Sequence, residues 1–313
     1  MGGGNSNSDA AVASLTREID PSRIRTHVET LASFGPRCDS QPEGLAPAIE
    51  YLTSTLAASG YSVQKERCTH SLIQSNLVVE RRGGTAPDTV IEIGAHYDTV
   101  PGSPGSDDNG SGVGGLLEIA RVLRYADCGR TVRLCFFGLE EEGRRSGSFD
   151  HVALLETRPA EQHLGILVFE MIGYCRKEAG SQRAPIRIPG IFWPPDTGNF
   201  ICVIANLRSA GIATRFERAA RRFVPELRIY AVKRLGALLQ DAARSDHVPY
   251  WRAKRRGVMI TDTANFRNPH YHKASDTPDT LDYEFCTLVT RATAATMLKW
   301  AATERASRFE TAG

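Results

Sequence analysis

From Thr89 onward the chain alternates strand-length apolar runs with helix-length amphipathic segments, and this alternation leaves few folds open. Val90, Ile91, Ile93 and Ala95 form a nearly continuous apolar run, as a strand buried on both faces requires. Gly110-Ser111-Gly112 then opens a helix whose apolar face is Val113, Leu116, Leu117, Ala120 and Leu123. Further strands are predicted over 131–137, 164–172, 199–207, 227–232 and 257–263, with helical segments between several of them. A long terminal helix starts near Asp279 and runs past Trp300. Upstream, Ile24, Val28 and Leu31, and then Ala48, Leu52 and Leu56, keep helical spacing, and Gly60 stops the second helix. Weak strand signals at 61–63 and 76–80 precede a Gly83-Gly84 turn. The pattern predicts an α/β fold with a mostly parallel sheet covered on both faces.

At 313 residues, 41% hydrophobic and 24% charged, the chain has material for one large core. No linker, repeat or low-complexity run divides it, so residues 21–307 are expected to be a single domain behind a flexible tail at 1–20. Its 38 basic and 36 acidic residues leave a net charge of +2, too small a field to suggest nucleic acid or a membrane surface as partner. Seven cysteines without CxxC spacing point to reduced thiols rather than a disulfide framework or a thiolate metal site. No run approaches the roughly 18 apolar residues of a membrane span. The N-terminus MGGGNSNSD lacks the basic and apolar regions of a signal peptide. It matches the acylation pattern M-G-x-x-x-[ST] through Gly2 and Ser6, although a Gly/Asn/Ser tail meets that pattern easily by chance. A cytoplasmic location is the expectation, and the oligomeric state is unreadable.

In parallel sheets, ligands bind outside the carboxyl ends of the strands, and there this chain concentrates its chemistry. His96-Tyr97-Asp98 follows one strand, Glu140-Glu141-Glu142-Gly143 the next, and Glu170 lies at the end of a third. Asp107-Asp108-Asn109-Gly110 occupies the loop before a helix, and His270-Tyr271-His272 follows a further strand. One such cluster alone would be solvated surface; five on one edge are not. Imidazoles and carboxylates without thiolates suit zinc, with manganese or cobalt as substitutes. Five ligand groups exceed what one zinc needs and point to two ions about 3.5–4 Å apart, bridged by a carboxylate. Glu170, a charge on an apolar strand, needs the compensation that a cation gives.

The order HYDTVPGSPGSDDNGSG, FFGLEEEG, FEMIGY, SDHVPYW and NPHYHKASDTPDT resembles metallopeptidase family 28 over roughly residues 90–300. The resemblance implies a three-layer α/β/α sandwich of zinc exopeptidase type, with a central mixed sheet. It implies His96, Asp108, Glu141, Glu170 and His272 as ligands of two zinc ions, with Asp108 bridging and Asp107 its competitor should the loop register differ. It further implies Asp98 as the carboxylate orienting His96, Glu140 as general base and Tyr271 as oxyanion donor. His270 is read as structural. Relatives often continue EEEG with two apolar residues and Gly-Ser, whereas this chain has Arg144-Arg145-Ser146-Gly147-Ser148. That departure puts the local helix start and the charge near the pocket in question. The stretch Ala253-Lys254-Arg255-Arg256 is similarly basic and reads as a solvated helix end. Residues 175–195 are expected in the pocket wall.

The activity so implied is hydrolysis of a terminal peptide bond in a peptide or small amide, as an aminopeptidase. Carboxypeptidase or dipeptidase action is the neighbouring reading. A glutaminyl-cyclase-like acyltransferase and a non-catalytic binding protein are readings of other classes.

Overall fold

The computed structural model describes residues 3–188 and 193–302. Eight strands form one mixed sheet in the order β1-β2-β4-β3-β5-β8-β6-β7. They are β1 (Gln64–Arg67), β2 (Ser75–Arg81), β3 (Ala86–His96), β4 (Arg130–Phe137), β5 (Gln162–Glu170), β6 (Ile201–Ala205), β7 (Ile229–Val232) and β8 (Gly257–Thr261). The four central strands β4-β3-β5-β8 are mutually parallel. β1 and β2 are antiparallel additions at one edge, and β6 runs antiparallel to β8 near the other. The centre is apolar on both faces because a parallel sheet is covered twice. Ile91, Ile93, Leu134, Phe136, Leu167 and Phe169 enter one core; Cys135, Phe137, Ile166 and Val168 enter a second.

The first core is closed by α2 (Pro21–Ser33), α3 (Leu45–Ala58), α4 (Gly112–Leu123), α6 (Ala210–Phe223) and α8 (Tyr283–Ala301). The second lies under α5 (Gly147–Glu156) and α7 (Val248–Arg252), giving the expected three layers. Gly60, at φ +84°, ends α3 in the left-handed conformation that glycine adopts without penalty. The last helix begins four residues later than its periodicity suggests. Pro278–Thr280 form a 3₁₀ turn, and the Asp282 side chain caps α8 by accepting from the Phe285 N–H.

Two segments differ from their sequence patterns. Within 3–20 the chain forms a helix, α1 (Gly3–Arg17), which docks on α8. Val12 and Thr16 are buried, and Lys299 of α8 donates to Asp9 at 2.8 Å. Gly2 and residue 307 lie outside the described residues. The first strand falls at Gln64–Arg67 rather than 61–63. All seven cysteines are free thiols, and no described helix is long and apolar enough to cross a membrane.

Candidate metal centre

The carboxyl ends of the four central parallel strands meet the loop before α4 at a single point. His96 is the last residue of β3 and is fully buried; Glu170 is the last of β5. After β4 the chain turns at Glu140–Arg145, and Asp98 holds that turn with both oxygens. Oδ1 accepts from the Glu140 N–H and Oδ2 from the Glu141 N–H, each at 3.1 Å. Asp98 Oδ1 also lies 3.4 Å from His96 Nδ1, so one carboxylate fixes an imidazole and two neighbouring glutamates. Asp276 does the same for the loop before α4, accepting from the N–H groups of Asp107 (2.9 Å) and Asp108 (3.1 Å). Asn109 ties that loop to the end of β5 through Phe169 O and the Met171 N–H. Fully buried Arg37 laces the loops after β3, donating to Tyr97 O, Pro104 O and Gly105 O. His272, beyond β8, sits at φ +58°, a conformation costing a non-glycine residue on the order of 1–2 kcal/mol.

These supports bring five side chains into two groups of three that share Asp108. His96 Nε2 is 3.4 Å from Asp108 Oδ1 and 3.6 Å from Glu170 Oε2. His272 Nε2 is 3.1 Å from Asp108 Oδ2 and 3.3 Å from Glu141 Oε2. His96 Nε2, Asp108 Oδ2 and Glu141 Oε1 are buried without a hydrogen-bonding partner. Ligands about 2.0–2.1 Å from a tetrahedral zinc stand roughly 3.3–3.4 Å from one another. The observed separations therefore fit cation ligands, and so does the donor chemistry.

The electrostatics agree. Four carboxylates (Asp108, Glu140, Glu141, Glu170) face two imidazoles. Burial, and next the charge of Asp108, push Glu141 up to about 8. Burial also lifts Glu140 well above the carboxylate range, with Glu170 and Glu141 adding to it against the pull of His96. Burial opposes the charge on Asp108, yet His272 and His96 hold it below its ordinary value. Such a cluster stores more negative charge than its own imidazoles offset.

Asp107 is not among these ligands. Its oxygens accept from the Gly173 N–H, Ser111 Oγ and Asn268 Nδ2, outside both groups of three. Tyr271 stacks on His272, ring centroids 3.8 Å apart, and faces the same cavity. His270 Nδ1 lies 3.0 Å from Ser275 Oγ, outside both groups. The cavity, about 380 Å³, is lined by Asp108, Glu141, Glu170 and His272 together with apolar Phe200, Ile204, Val232 and Met259. Gln182–Pro185 and Pro194, within the expected 175–195 segment, line it too. At the Arg144-Arg145 departure, α5 starts normally, its N-cap Ser146 accepting from the Ser148 N–H; the side chains of residues 143–145 lie outside the described residues. Lys254 and Arg256 of the basic stretch are exposed, and Arg255 is half-buried.

Two features escaped the sequence reading. Ser245 donates to Glu170 at 2.5 Å, and buried Asp246 accepts from Ser146 at 2.8 Å while burial raises it to about 6. Both lie in SDHVPYW, whose Ser-Asp pair beside a helix was the available signal. A further grouping of Glu92, Cys135 and His151 lies beneath the sheet. There both Glu92 oxygens are already engaged by Arg133, His151, His163 and Tyr250. Arg133 supplies the cation at that position.

The model of peptidase family M28 matches residues 76–297. An uncharacterized Escherichia coli protein, YfbL, is 33% identical over 88% of this chain and 86% of its own length. Aminopeptidase YwaD of Bacillus subtilis is 39% identical, but over 28% of this chain and 19% of that protein, so the match is local. Among solved structures, the LapA aminopeptidase of Legionella pneumophila superposes with a TM-score of 0.75 at 19% identity. That superposition covers 96% of this chain and 76% of the LapA chain, and at this identity it speaks for the fold.

Proposed function

Since this chain belongs to peptidase family M28, a family of hydrolases whose relatives include zinc aminopeptidases, we propose that it is a two-zinc aminopeptidase acting on apolar N-terminal residues. The observation that carries the reading is the pair of ligand triads sharing Asp108 beside a cavity also lined by Phe200, Ile204, Val232 and Met259. His96, Asp108 and Glu170 would hold one ion, and Asp108, Glu141 and His272 the other. When bound, the ions supply Lewis acidity, polarising the scissile carbonyl and bringing the pKa of water down towards neutrality.

The chain's own residues do the rest. Glu140 lines the cavity beside the ligands without belonging to either triad, a position that suits a group accepting a proton from water and returning it to the leaving amine. Asp98 fixes Glu140 through its backbone N–H and so holds its position between both transfers. Tyr271, kept protonated by burial, offers a hydroxyl to the oxyanion. The apolar residues of the cavity receive the N-terminal side chain.

The test uses zinc-loaded protein and leucyl anilide, its N-acetyl derivative, and a C-terminally amidated leucyl tripeptide. Acetylation should remove most of the turnover and amidation of the distant C-terminus little. Efficient cleavage of acetylated peptides with rejection of amides would reverse the assignment to a carboxypeptidase. Ring closure of N-terminal glutaminyl peptides without hydrolysis would reveal an acyltransferase.

A further inference from the structure

A second cavity, about 300 Å³, also has Glu140 in its lining. It shares Glu140, Arg244 and Ser245 with the first, but Asp108, Glu141, Glu170 and His272 line the first alone. Glu140 therefore stands at the junction of two compartments. If it returns a proton to the leaving nitrogen, that nitrogen lies at the junction and the two halves of the substrate part there. The N-terminal residue goes over the ligands into the apolar cavity; the residue that leaves goes into the second.

The second compartment is built unlike the first. Phe149, Val248 and Pro249 give it an apolar side. Arg252 lies across this side, its guanidinium carbon 5.3 Å from the Phe149 ring centroid, which restrains the side chain over the cavity. Among the described residues, no carboxylate pairs with Arg252. Arg244, also in the lining, lies 3.4 Å from Asp241, its side chain 61% exposed, and pairs with no other carboxylate among the described residues. Two guanidinium groups on one small cavity suit a planar carboxylate, which arginine binds in fork geometry. The cavity's serines are already committed: Ser146 and Ser148 to each other and to Asp246, Ser245 to Glu170.

We propose that this cavity is a leaving-residue subsite selecting a carboxylate one residue beyond the scissile bond. The proposal rests on the aminopeptidase reading above. The carboxylate has two sources, the α-carboxylate of a dipeptide or the side chain of Asp or Glu in second position. Either makes the enzyme prefer very short or acidic peptides over long neutral ones.

The experiment compares kcat/KM of the zinc-loaded enzyme for Leu-Ala, Leu-Ala-amide and Leu-Glu-amide, with leucyl anilide run alongside. A partly exposed arginine–carboxylate contact predicts an advantage of about two- to fivefold for the carboxylate-bearing substrates over Leu-Ala-amide. High salt should shrink it. An advantage for Leu-Ala alone assigns the α-carboxylate; one for Leu-Glu-amide alone assigns the side chain. In the Arg244→Gln/Arg252→Gln double variant the three values should converge. Both positions are exposed, and thermal melting verifies that the variant folds. Equal values in the unaltered enzyme, or an advantage surviving in the double variant, overturn the subsite. No turnover of leucyl anilide would instead remove the aminopeptidase reading itself.

Discussion

Replacing Asp98 with Asn changes one oxygen for an amide nitrogen at the centre of the ligand scaffold, and the cost follows from which bonds survive. Asp98 is buried and accepts from the Glu140 and Glu141 N–H groups at 3.1 Å each. Asn keeps one acceptor and turns its NH₂ towards the other N–H, so one charge-assisted bond is lost and a buried donor is stranded. Such bonds contribute about 1.5–3 kcal/mol, and a stranded donor costs about 1–3 kcal/mol. Asp98→Asn should therefore destabilise the fold by about 2–4 kcal/mol. His96 suffers less, because its Nδ1 also lies 3.2 Å from the Asp98 main-chain carbonyl oxygen, which the substitution preserves. Loss of such a supporting carboxylate typically weakens metal binding by about 10–100-fold. The triad containing Glu141 should bear the larger part. Urea unfolding in chelator gives the stability change, and competition with a chromophoric chelator gives two zinc affinities. A variant with unchanged urea midpoint and both affinities intact would refute this account of Asp98.

Glu140→Gln should lower turnover by about 10²–10⁴ while both metals remain bound, because Gln keeps the shape of Glu but accepts no proton. Glu141→Gln should lose one zinc and recover partly with added zinc; the opposite pattern in metal content would mean that the roles are exchanged. His247 supplies a pH signature away from the ligands. Its Nε2 lies 2.8 Å from Ala242 O, its Nδ1 is buried without a partner, and burial pulls its pKa down to about 4. The unfolded chain binds the proton near the ordinary value of about 6.5, so His247 leaves stability intact above that pH. Stability then falls, by at most about 1.4 kcal/mol per pH unit, as pH drops towards 4. His247→Gln retains a donor for Ala242 and removes the titration, so unfolding midpoints of the two proteins should converge between pH 7 and 4.5; parallel profiles would exclude the effect.

What the sequence carried was periodicity and local motif. Strands β3, β4 and β5 were legible because burial on both faces leaves nearly continuous apolar runs, and their carboxyl ends announced His96, Glu140, Glu141 and Glu170. β1 was misplaced because an edge strand of Gln64, Lys65, Glu66 and Arg67 has no apolar pattern; its pairing with β2 defines it. α1 was missed for a similar reason, since Gly3 to Asp9 contains no apolar residue and the helix is anchored from outside by α8. Arg37 belongs to no motif, and its role arises only when three loops meet around it. Glu92 and Arg133 each interrupt an apolar strand and face each other in register across β3 and β4. Opposite charges within two buried strands were visible, but their register was not.

The direct test of the two-metal site is the anomalous scattering of a zinc-loaded crystal measured on both sides of the zinc edge. The account predicts two peaks, one bounded by His96, Asp108 and Glu170, the other by Asp108, Glu141 and His272, both in contact with Asp108. One peak, peaks elsewhere, or an Asp108 side chain turned away from both would contradict it.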